Sequence, residues 1–215
     1  RLAHKIMRER PDHDIDVVIP IPDTSRDAGR ALAHELGVKF REGFMKNRYI
    51  GRTFIMPGQT QRRKSVRQKL NPVPLEFEGK TVLLVDDSIV RSTTMSKLVA
   101  LVREAGATEV HVRIASPMIR FPCFYGIDTP SRSELVAANH SVSEINGIIG
   151  ADSLAFVSLE GLAKAVNPPQ GVSRNGGRDY CDACFSGVYD VALPDEEMRQ
   201  EIAGSGAFLM GKAVP

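Results

Sequence analysis

Two adjacent aspartates, Asp86 and Asp87, follow a run of four apolar residues and precede a short segment rich in hydroxyl side chains. Neighbouring carboxylates repel one another and resist removal from water, so a purely structural role would suit this position poorly. A cation or a ligand rich in hydroxyl groups would relieve the repulsion. The sequence therefore places a candidate binding site immediately after the apolar run.

The segment after the aspartates, SIVRSTT, leads into a pattern typical of a helix. A helix N-terminus with free N–H groups is a common phosphate site. Carboxylates beside such a site indicate a phosphorylated sugar, with the acids binding ribose hydroxyls and a hydrated Mg²⁺. The alternative interpretation is a helix capped after an acidic turn, with no ligand.

Strand, loop and helix patterns alternate along the chain and must position these residues. Strands are predicted at 17–21, 81–87, 109–116 and 153–158, and helices at 27–37, 92–107 and 159–166, with a further helical pattern at the start. This order predicts an α/β fold with a mostly parallel sheet covered on both faces, in which VLLV forms a central, buried strand. Ligands of such sheets bind beyond the carboxyl ends of the strands, where Asp86 and Asp87 are expected.

The bulk composition limits the classes of protein that fit. The chain has 215 residues, 42% of them hydrophobic, which suits a single α/β domain. A net charge of +2 argues against nucleic-acid binding by bulk charge. No apolar run approaches the roughly 18 residues of a membrane span, and no secretory leader opens the chain, so we expect a cytoplasmic protein. The first residue, Arg1, indicates a piece of a longer chain.

A polar, basic insert of about thirty residues separates the first two strand–helix units, which is long for a connection in a compact domain. Its sequence is KNRYIGRTFIMPGQTQRRKSVRQKLNPVP. Aromatic and apolar residues among the charges, Tyr49, Phe54 and Ile55, favour a lid that docks over a site, although a solvated basic linker is the alternative.

The cysteines admit several interpretations. Cys181 and Cys184 form a CxxC in the irregular tail that begins at Asn167, and Cys123 stands apart in FPCFYGID. An odd number of cysteines argues against a disulfide framework. The CxxC is compatible with a redox pair, a zinc or iron–sulfur half-site, or two inert thiols. The histidines lack ligand spacing and are interpreted as surface or packing residues: His4, His13, His34, His111 and His140.

The apolar strand, acidic pair and hydroxyl turn resemble the phosphoribosyl pyrophosphate (PRPP) motif of type I phosphoribosyltransferases. Together with IPIPDTS, the basic insert, FPCFYGIDTPSRSELVA and YCDACFSGVY, the chain resembles the glutamine PRPP amidotransferase family over nearly its whole length. The resemblance implies the type I phosphoribosyltransferase fold over 1–166, with a flap at about 43–72, and a C-terminal tail over 167–215. It also implies an N-terminal glutaminase domain outside this chain. One departure is Ser92, where the family usually has Gly.

The resemblance implies attack of ammonia on C1 of PRPP, giving 5-phosphoribosylamine and pyrophosphate, the first committed step of purine synthesis. It assigns Mg²⁺ to Thr24, Asp86 and Asp87. It assigns pyrophosphate contacts in the flap to Lys46 and Arg52 as catalytic residues, with Arg48 and Tyr49 as further candidates. Arg91 has a second interpretation, as a surface ion pair. The residues assigned to PRPP are Asp86, Asp87, Ser88, Ile89, Val90, Arg91, Ser92, Thr93, Thr94 and Tyr49.

Further implications concern cofactors and partners. Some family members hold a [4Fe–4S] cluster in a pattern that matches Cys123, Cys181 and Cys184, with a fourth cysteine upstream of this chain's start. The resemblance also implies ammonia supplied from glutamine, feedback inhibition by purine nucleotides such as AMP and GMP, and a homotetramer. Two rival functions are another type I phosphoribosyltransferase, acting on orotate or a purine base, and a regulatory module that binds PRPP without catalysis.

Overall fold

The chain's structure is a computed structural model that describes residues 2–9, 13–47, 70–127, 129, 131–166 and 180–189. Within these ranges a central parallel sheet has five strands in the order β2-β1-β5-β6-β7, and a separate antiparallel pair is formed by β3 and β4. The strands are β1 Val17–Pro20, β2 Lys39–Phe40, β3 Phe44–Lys46, β4 Leu70–Pro72, β5 Thr81–Asp86, β6 Glu109–Ile114 and β7 Ser153–Phe156. The predicted α/β class and parallel sheet are confirmed.

The helices of the described residues connect the strands and cover both faces of the sheet. They are α1 Leu2–Glu9, α2 Arg26–Leu36, α3 Ser92–Glu104, α4 Val136–Asn139, α5 Val142–Ile149, α6 Leu159–Val166 and α7 Ala183–Ser186. Short 3₁₀ turns occupy Pro74–Glu76 and Arg132–Glu134. None of these helices is long and apolar enough to cross a membrane.

Strand β5 lies at the centre of the sheet, as its apolar sequence predicts. Its side chains alternate between two cores: Val82 and Leu84 pack on one face, and Leu83 and Val85 on the other, all of them fully buried. A strand that buries both faces needs this unbroken apolar run, because a polar residue would have no water on either side. Its last residue, Asp86, is half-buried at the edge of the core.

Helices α1 and α2 cover one face of the sheet, and helices α3 and α5 cover the other. The predicted apolar face of α3 is buried, with Met95, Leu98, Val99 and Val102 in the core. Helix α2 ends where Gly37 adopts a left-handed conformation with φ 67°, which a residue without Cβ accommodates at little cost.

The antiparallel pair β3–β4 joins the two ends of the basic insert. Lys46 pairs in register with Leu70, so these two residues lie next to one another although 23 residues separate them in the sequence. Phe44 of β3 packs its ring 5.4 Å from that of Phe77, which is fully buried. The ends of the predicted flap are therefore anchored to the core, while residues 48–69 lie outside the described residues.

Candidate active site

The two aspartates lie where the sequence predicts, at the carboxyl end of the central strand. Asp86 is the last residue of β5 and Asp87 begins the turn after it. The Asp86 carboxylate accepts hydrogen bonds from the Asp87 amide at 2.9 Å and from the Ser25 hydroxyl at 3.1 Å, both at Oδ1. Asp87 is exposed and accepts from the Ser88 hydroxyl at 3.0 Å.

The ionised form of Asp86 is destabilised in this position. Burial, and then the negative charge of Asp87, raise the pKa of Asp86 from its usual 3.8 to about 7, although its hydrogen bonds from the Asp87 amide and Ser25 oppose the shift. A cation placed between the two carboxylates would reverse both causes, since it neutralises the repulsion and compensates for the lost water. The pair is therefore suited to binding a divalent metal.

The loop after β1 supplies hydroxyl groups to both aspartates. Thr24 donates a hydrogen bond to Asp87, and Ser25, which is only 1% exposed, donates to Asp86. Strands β1 and β5 are adjacent and parallel, so their following loops meet at the same edge. The structure thus brings together the three residues assigned to Mg²⁺.

Lys46 approaches the same edge from β3. Its ammonium group forms an ion pair with Asp23, and Arg26 contacts both Asp23, at 3.6 Å, and Glu42, at 3.3 Å. These charged side chains are partly exposed and surround the loop that carries Thr24. The arrangement places cationic groups beside the carboxylate pair, where a polyanionic ligand bound to a metal would need them.

The predicted phosphate turn joins β5 to α3. Ile89 is buried and anchors the turn, while the Val90 carbonyl accepts a hydrogen bond from the Val136 amide at 3.0 Å. Helix α3 begins at Ser92, and Arg91 at its N-cap makes no side-chain hydrogen bond to the first turn. The exposed or half-buried hydroxyls of Ser92, Thr93 and Thr94 therefore accompany helix amides that carry partial positive charge.

Arg91 itself forms an ion pair with Glu134. Its guanidinium lies 3.2 Å, through Nε, and 3.1 Å, through Nη2, from the same Glu134 carboxylate oxygen. The sequence left a phosphate contact and a surface ion pair as alternatives for this residue. The structure contains the ion pair.

The sequence interpretation did not identify two residues of this edge, Ser25 and Asp23. The sequence could have identified both residues, because the segment DTS follows soon after the end of β1, and in a parallel sheet that end lies beside the end of β5. Three flap residues of the sequence interpretation, Arg48, Tyr49 and Arg52, lie outside the described residues.

The three cysteines lie in two segments that contact one another. The Cys184 carbonyl, in α7, accepts hydrogen bonds from the amides of Arg120 and Phe121, at 3.0 and 3.1 Å, and Tyr189 donates to the Pro122 carbonyl. Burial raises the pKa of the Cys184 thiol, and the neighbouring thiols of Cys123 and Cys181 raise it further. The loop of Cys123 and the CxxC therefore meet despite their separation in sequence.

Comparison with known proteins agrees with this geometry. A family model described as "Phosphoribosyl transferase domain" matches residues 1–118. The amidophosphoribosyltransferase of Pseudomonas aeruginosa is 58% identical over 193 residues, which make up 88% of this chain and 37% of that protein. That of Escherichia coli is also 58% identical, over 189 residues that make up 88% of this chain and 37% of that protein. This chain spans well under half the length of these curated relatives.

Solved structures show the same likeness. The glutamine PRPP amidotransferase from B. subtilis, complexed with ADP and GMP, superposes with a TM-score of 0.75 at 46% identity, over 90% of this chain and 42% of that one. A structure described as the allosteric regulatory enzyme of purine biosynthesis gives a TM-score of 0.75 at 47% identity, over 91% of this chain and 41% of that one. The resemblance to amidophosphoribosyltransferases is confirmed, as is the type I fold. Because the family model covers more than half of its residues, this chain belongs to the phosphoribosyl transferase domain family.

Proposed function

We propose that this chain is the phosphoribosyl-transferring part of an amidophosphoribosyltransferase, which joins ammonia to C1 of PRPP with release of pyrophosphate. The observation that carries the proposal is the Asp86–Asp87 pair at the carboxyl end of β5, flanked by Thr24, Lys46 and the N-terminus of α3. It is supported by relatives of that name at 58% identity over most of the chain.

The residues present fit Mg²⁺. The raised pKa of Asp86 indicates a carboxylate without adequate neutralisation, and carboxylate and hydroxyl oxygens are the ligands that this hard cation prefers. Thr24, Asp86 and Asp87 would hold the ion, which would neutralise charge on the pyrophosphate leaving group. The same two carboxylates would accept hydrogen bonds from the ribose hydroxyls.

The remaining groups of the site bind and orient the substrate in this proposal. The amides and hydroxyls of 88–94, with Arg91, hold the 5-phosphate. Lys46 exchanges its ion pair with Asp23 for the pyrophosphate and stabilises the charge that develops there. The sugar is then fixed at both ends, which leaves C1 open to ammonia.

The segment between β3 and β4 would close over bound PRPP and exclude water, which competes with ammonia for C1. Both of its ends are anchored beside the site, through the Lys46–Leu70 pairing. In this proposal Arg52 and Tyr49 complete the pyrophosphate contacts. Slower proteolysis within 48–69 when Mg²⁺ and PRPP are present would support closure, and an unchanged cleavage rate would contradict it.

We further propose that Cys123, Cys181 and Cys184 hold a [4Fe–4S] cluster with a structural role. Support comes from the hydrogen bonds between their two segments and from the pKa of Cys184, which burial raises and which the neighbouring thiols of Cys123 and Cys181 raise further. The chain has three cysteines, so a fourth ligand must come from elsewhere. Iron analysis of anaerobically purified protein is the test, with Cys181→Ser expected to lose both iron and stability.

The proposal extends to the partners of the complete enzyme. The relatives extend well beyond the matched residues, which leaves room in them for a glutaminase domain that supplies ammonia. The B. subtilis structure carries ADP and GMP, which favours purine nucleotides as regulators here as well. A homotetramer and the 1–166 domain boundary remain proposals from the resemblance.

The decisive experiment measures pyrophosphate release from PRPP and Mg²⁺ by the protein in its natural full length. Ammonium, orotate, adenine and uracil are compared as acceptors, and Asp87→Asn serves as the variant with reduced expected activity. Ammonium-dependent release is expected. Activity with a base instead would establish a different phosphoribosyltransferase, and PRPP binding without release from any acceptor would favour the regulatory module.

A further inference from the structure

A second group of ionisable side chains lies at the opposite, amino end of the sheet. It consists of Asp14, in the loop before β1, and of Glu109 and His111 in β6. One ligand atom of each residue lies within 4.8 Å of those of the other two. The proposed phosphoribosyl chemistry uses none of these residues, and the inference below does not depend on it.

Strand geometry explains why these side chains converge. Glu109 and His111 are two residues apart in β6 and therefore point to the same face. The intervening Val110, with Val112 and Ile114, packs into the opposite core. His111 is only 2% exposed and Asp14 is exposed, so the group runs from the interior to the surface.

The imidazole of His111 is held by its other nitrogen. Its Nδ1 lies 2.8 Å from the hydroxyl of Ser153, its partner in the β6–β7 register. Arg113 donates to the same hydroxyl at 3.0 Å and is itself nearly buried. Metal-binding histidines usually donate their second ring N–H to a fixed acceptor, which leaves the other nitrogen free to coordinate.

His111 Nε2 is directed at the carboxylates, 3.1 Å from Glu109 Oε2. Atoms that share a Zn²⁺ at about 2.1 Å each lie about 3 to 4 Å from one another. Because the three ligand atoms lie within 4.8 Å of one another, an adjustment of at most about 1 Å would bring them to these separations. Three ligands with one position facing water match a four-coordinate site.

We infer that Asp14, Glu109 and His111 form a metal site for a divalent transition cation of the Zn²⁺ type, distinct from the magnesium site at the carboxyl end. One imidazole nitrogen and two carboxylate oxygens favour such an ion over Mg²⁺, which prefers oxygen ligands and retains its water. The ion would join the loop before β1 to β6, although these segments are separated by β5 in the sheet.

The competing explanation is a proton on His111 Nε2, which would be donated to Glu109 in an ordinary hydrogen bond. That arrangement needs neither Asp14 nor a metal. Asp14 therefore distinguishes the two explanations, and because it is exposed we expect Asp14→Asn to fold.

The experiment titrates Zn²⁺ into metal-free protein and records both the unfolding temperature and the binding stoichiometry. Wild type is compared with Asp14→Asn, Glu109→Gln and the exposed control Asp27→Asn. The thiols and the Asp86–Asp87 pair are present in all four proteins, so differences between them report the Asp14 site. Wild type and Asp27→Asn should bind one more ion than the two site variants, and Zn²⁺ should raise their unfolding temperature by at least about 4 °C more.

A second measurement uses Ser153→Ala, which removes the partner of Nδ1 but no ligand. Its affinity for the additional ion should fall about tenfold or more. Equal stoichiometry and equal thermal shifts in wild type, Asp14→Asn and Glu109→Gln would overturn the inference. The His111–Glu109 contact would then be an ordinary hydrogen bond from Nε2 to the carboxylate.

Discussion

Aspartates at the two ends of the parallel sheet have different neighbours. At the amino end, Asp16 accepts the Thr81 amide of β5 at 2.8 Å, and Asp152 accepts the Val110 amide of β6 at 2.7 Å. At the carboxyl end, Asp86 meets a second carboxylate. Asp16 and Asp152 therefore satisfy strand amides at the amino end, whereas the Asp86–Asp87 pair at the carboxyl end is available to a ligand.

Backbone direction causes this difference. Parallel strands begin with N–H groups that need acceptors and end with carbonyl groups that need donors. Burial alone would raise the pKa of Asp152, but the Val110 amide and the Arg103 guanidinium outweigh it and lower that pKa. For Asp86 burial prevails, and the pKa rises to about 7. The lowered pKa of Asp152 is typical of a structural carboxylate, whereas the raised pKa of Asp86 is typical of one that a bound cation would stabilise.

The largest expected effect comes from Asp86→Asn in metal-free protein. Because the folded-state pKa is raised, stability should fall as pH rises from about 4 to about 7, and the full cost applies above that range. An amide cannot ionise, so the substitution should raise the free energy of unfolding at pH 8 by up to about 4 kcal/mol. At pH 4 it should change little.

Urea denaturation of wild type and Asp86→Asn at both pH values checks this prediction. Asp27→Asn, at an exposed position, is the matched control and should have the same small effect at each pH. Destabilisation by Asp86→Asn at pH 8 would mean that the folded protein already satisfies the carboxylate, and the contrast between the two ends would fail.

The next effect concerns the amino end and has the opposite sign. Asp152→Ala leaves the amide of the buried Val110 without its acceptor, which should cost about 2 kcal/mol of unfolding free energy at neutral pH. Since the pKa of Asp152 is lowered, its contribution should be lost as pH falls below about 4. Thermal unfolding at pH 7 and pH 3 measures both quantities.

Asp152→Asn keeps one carbonyl acceptor and should recover part of the loss. Asp87→Ala is the counterpart at the carboxyl end, where the donors to the carboxylate among the described residues are the hydroxyls of Thr24 and Ser88. It should not destabilise the protein, because it removes the charge that repels Asp86. Equal losses in Asp152→Ala and Asp87→Ala would show that the two ends do not differ in this way.

The sequence was sufficient to predict the carboxyl-end site but not the amino-end contacts. The apolar VLLV run identifies a central strand. The two aspartates directly after it indicate a site because no adjacent residue neutralises their mutual repulsion. Asp16 and Asp152 carry no such signal, since neither has an acidic residue next to it in the sequence. Their roles depend on which neighbouring strand offers an amide, and that is set by register between distant segments.

Dependence on strand pairing also explains why the sequence did not reveal the contacts of Ser25 and His111. A serine in a loop and a histidine in a strand are ordinary residues until pairing of β1 with β5, and of β6 with β7, brings them to their partners. The sequence left His111 as a surface or a packing residue; the structure buries it, and its contacts with Ser153 and Glu109 became visible only in the fold.

Catalysis provides a third test of the carboxyl end. Asp87→Asn should lower ammonia-dependent turnover at least about tenfold, which corresponds to about 1.4 kcal/mol, and Asp86→Asn should do the same despite its higher stability. Pyrophosphate release at limiting Mg²⁺ and PRPP is the measurement. Wild-type turnover in both variants would remove the pair from the site.

The smallest expected effect concerns Arg91, the one residue of the phosphate turn whose role the sequence left open between a ligand contact and an ion pair. The pair with Glu134 is partly exposed, so Glu134→Gln should change the free energy of unfolding by less than about 1 kcal/mol. If Arg91 leaves Glu134 to bind the 5-phosphate, the energy of that pair opposes PRPP binding. Glu134→Gln should then lower the KM for PRPP about twofold, and Arg91→Ala should raise it. An unchanged KM in both variants would make Arg91 a surface ion pair and leave the 5-phosphate to the amides and hydroxyls of the turn.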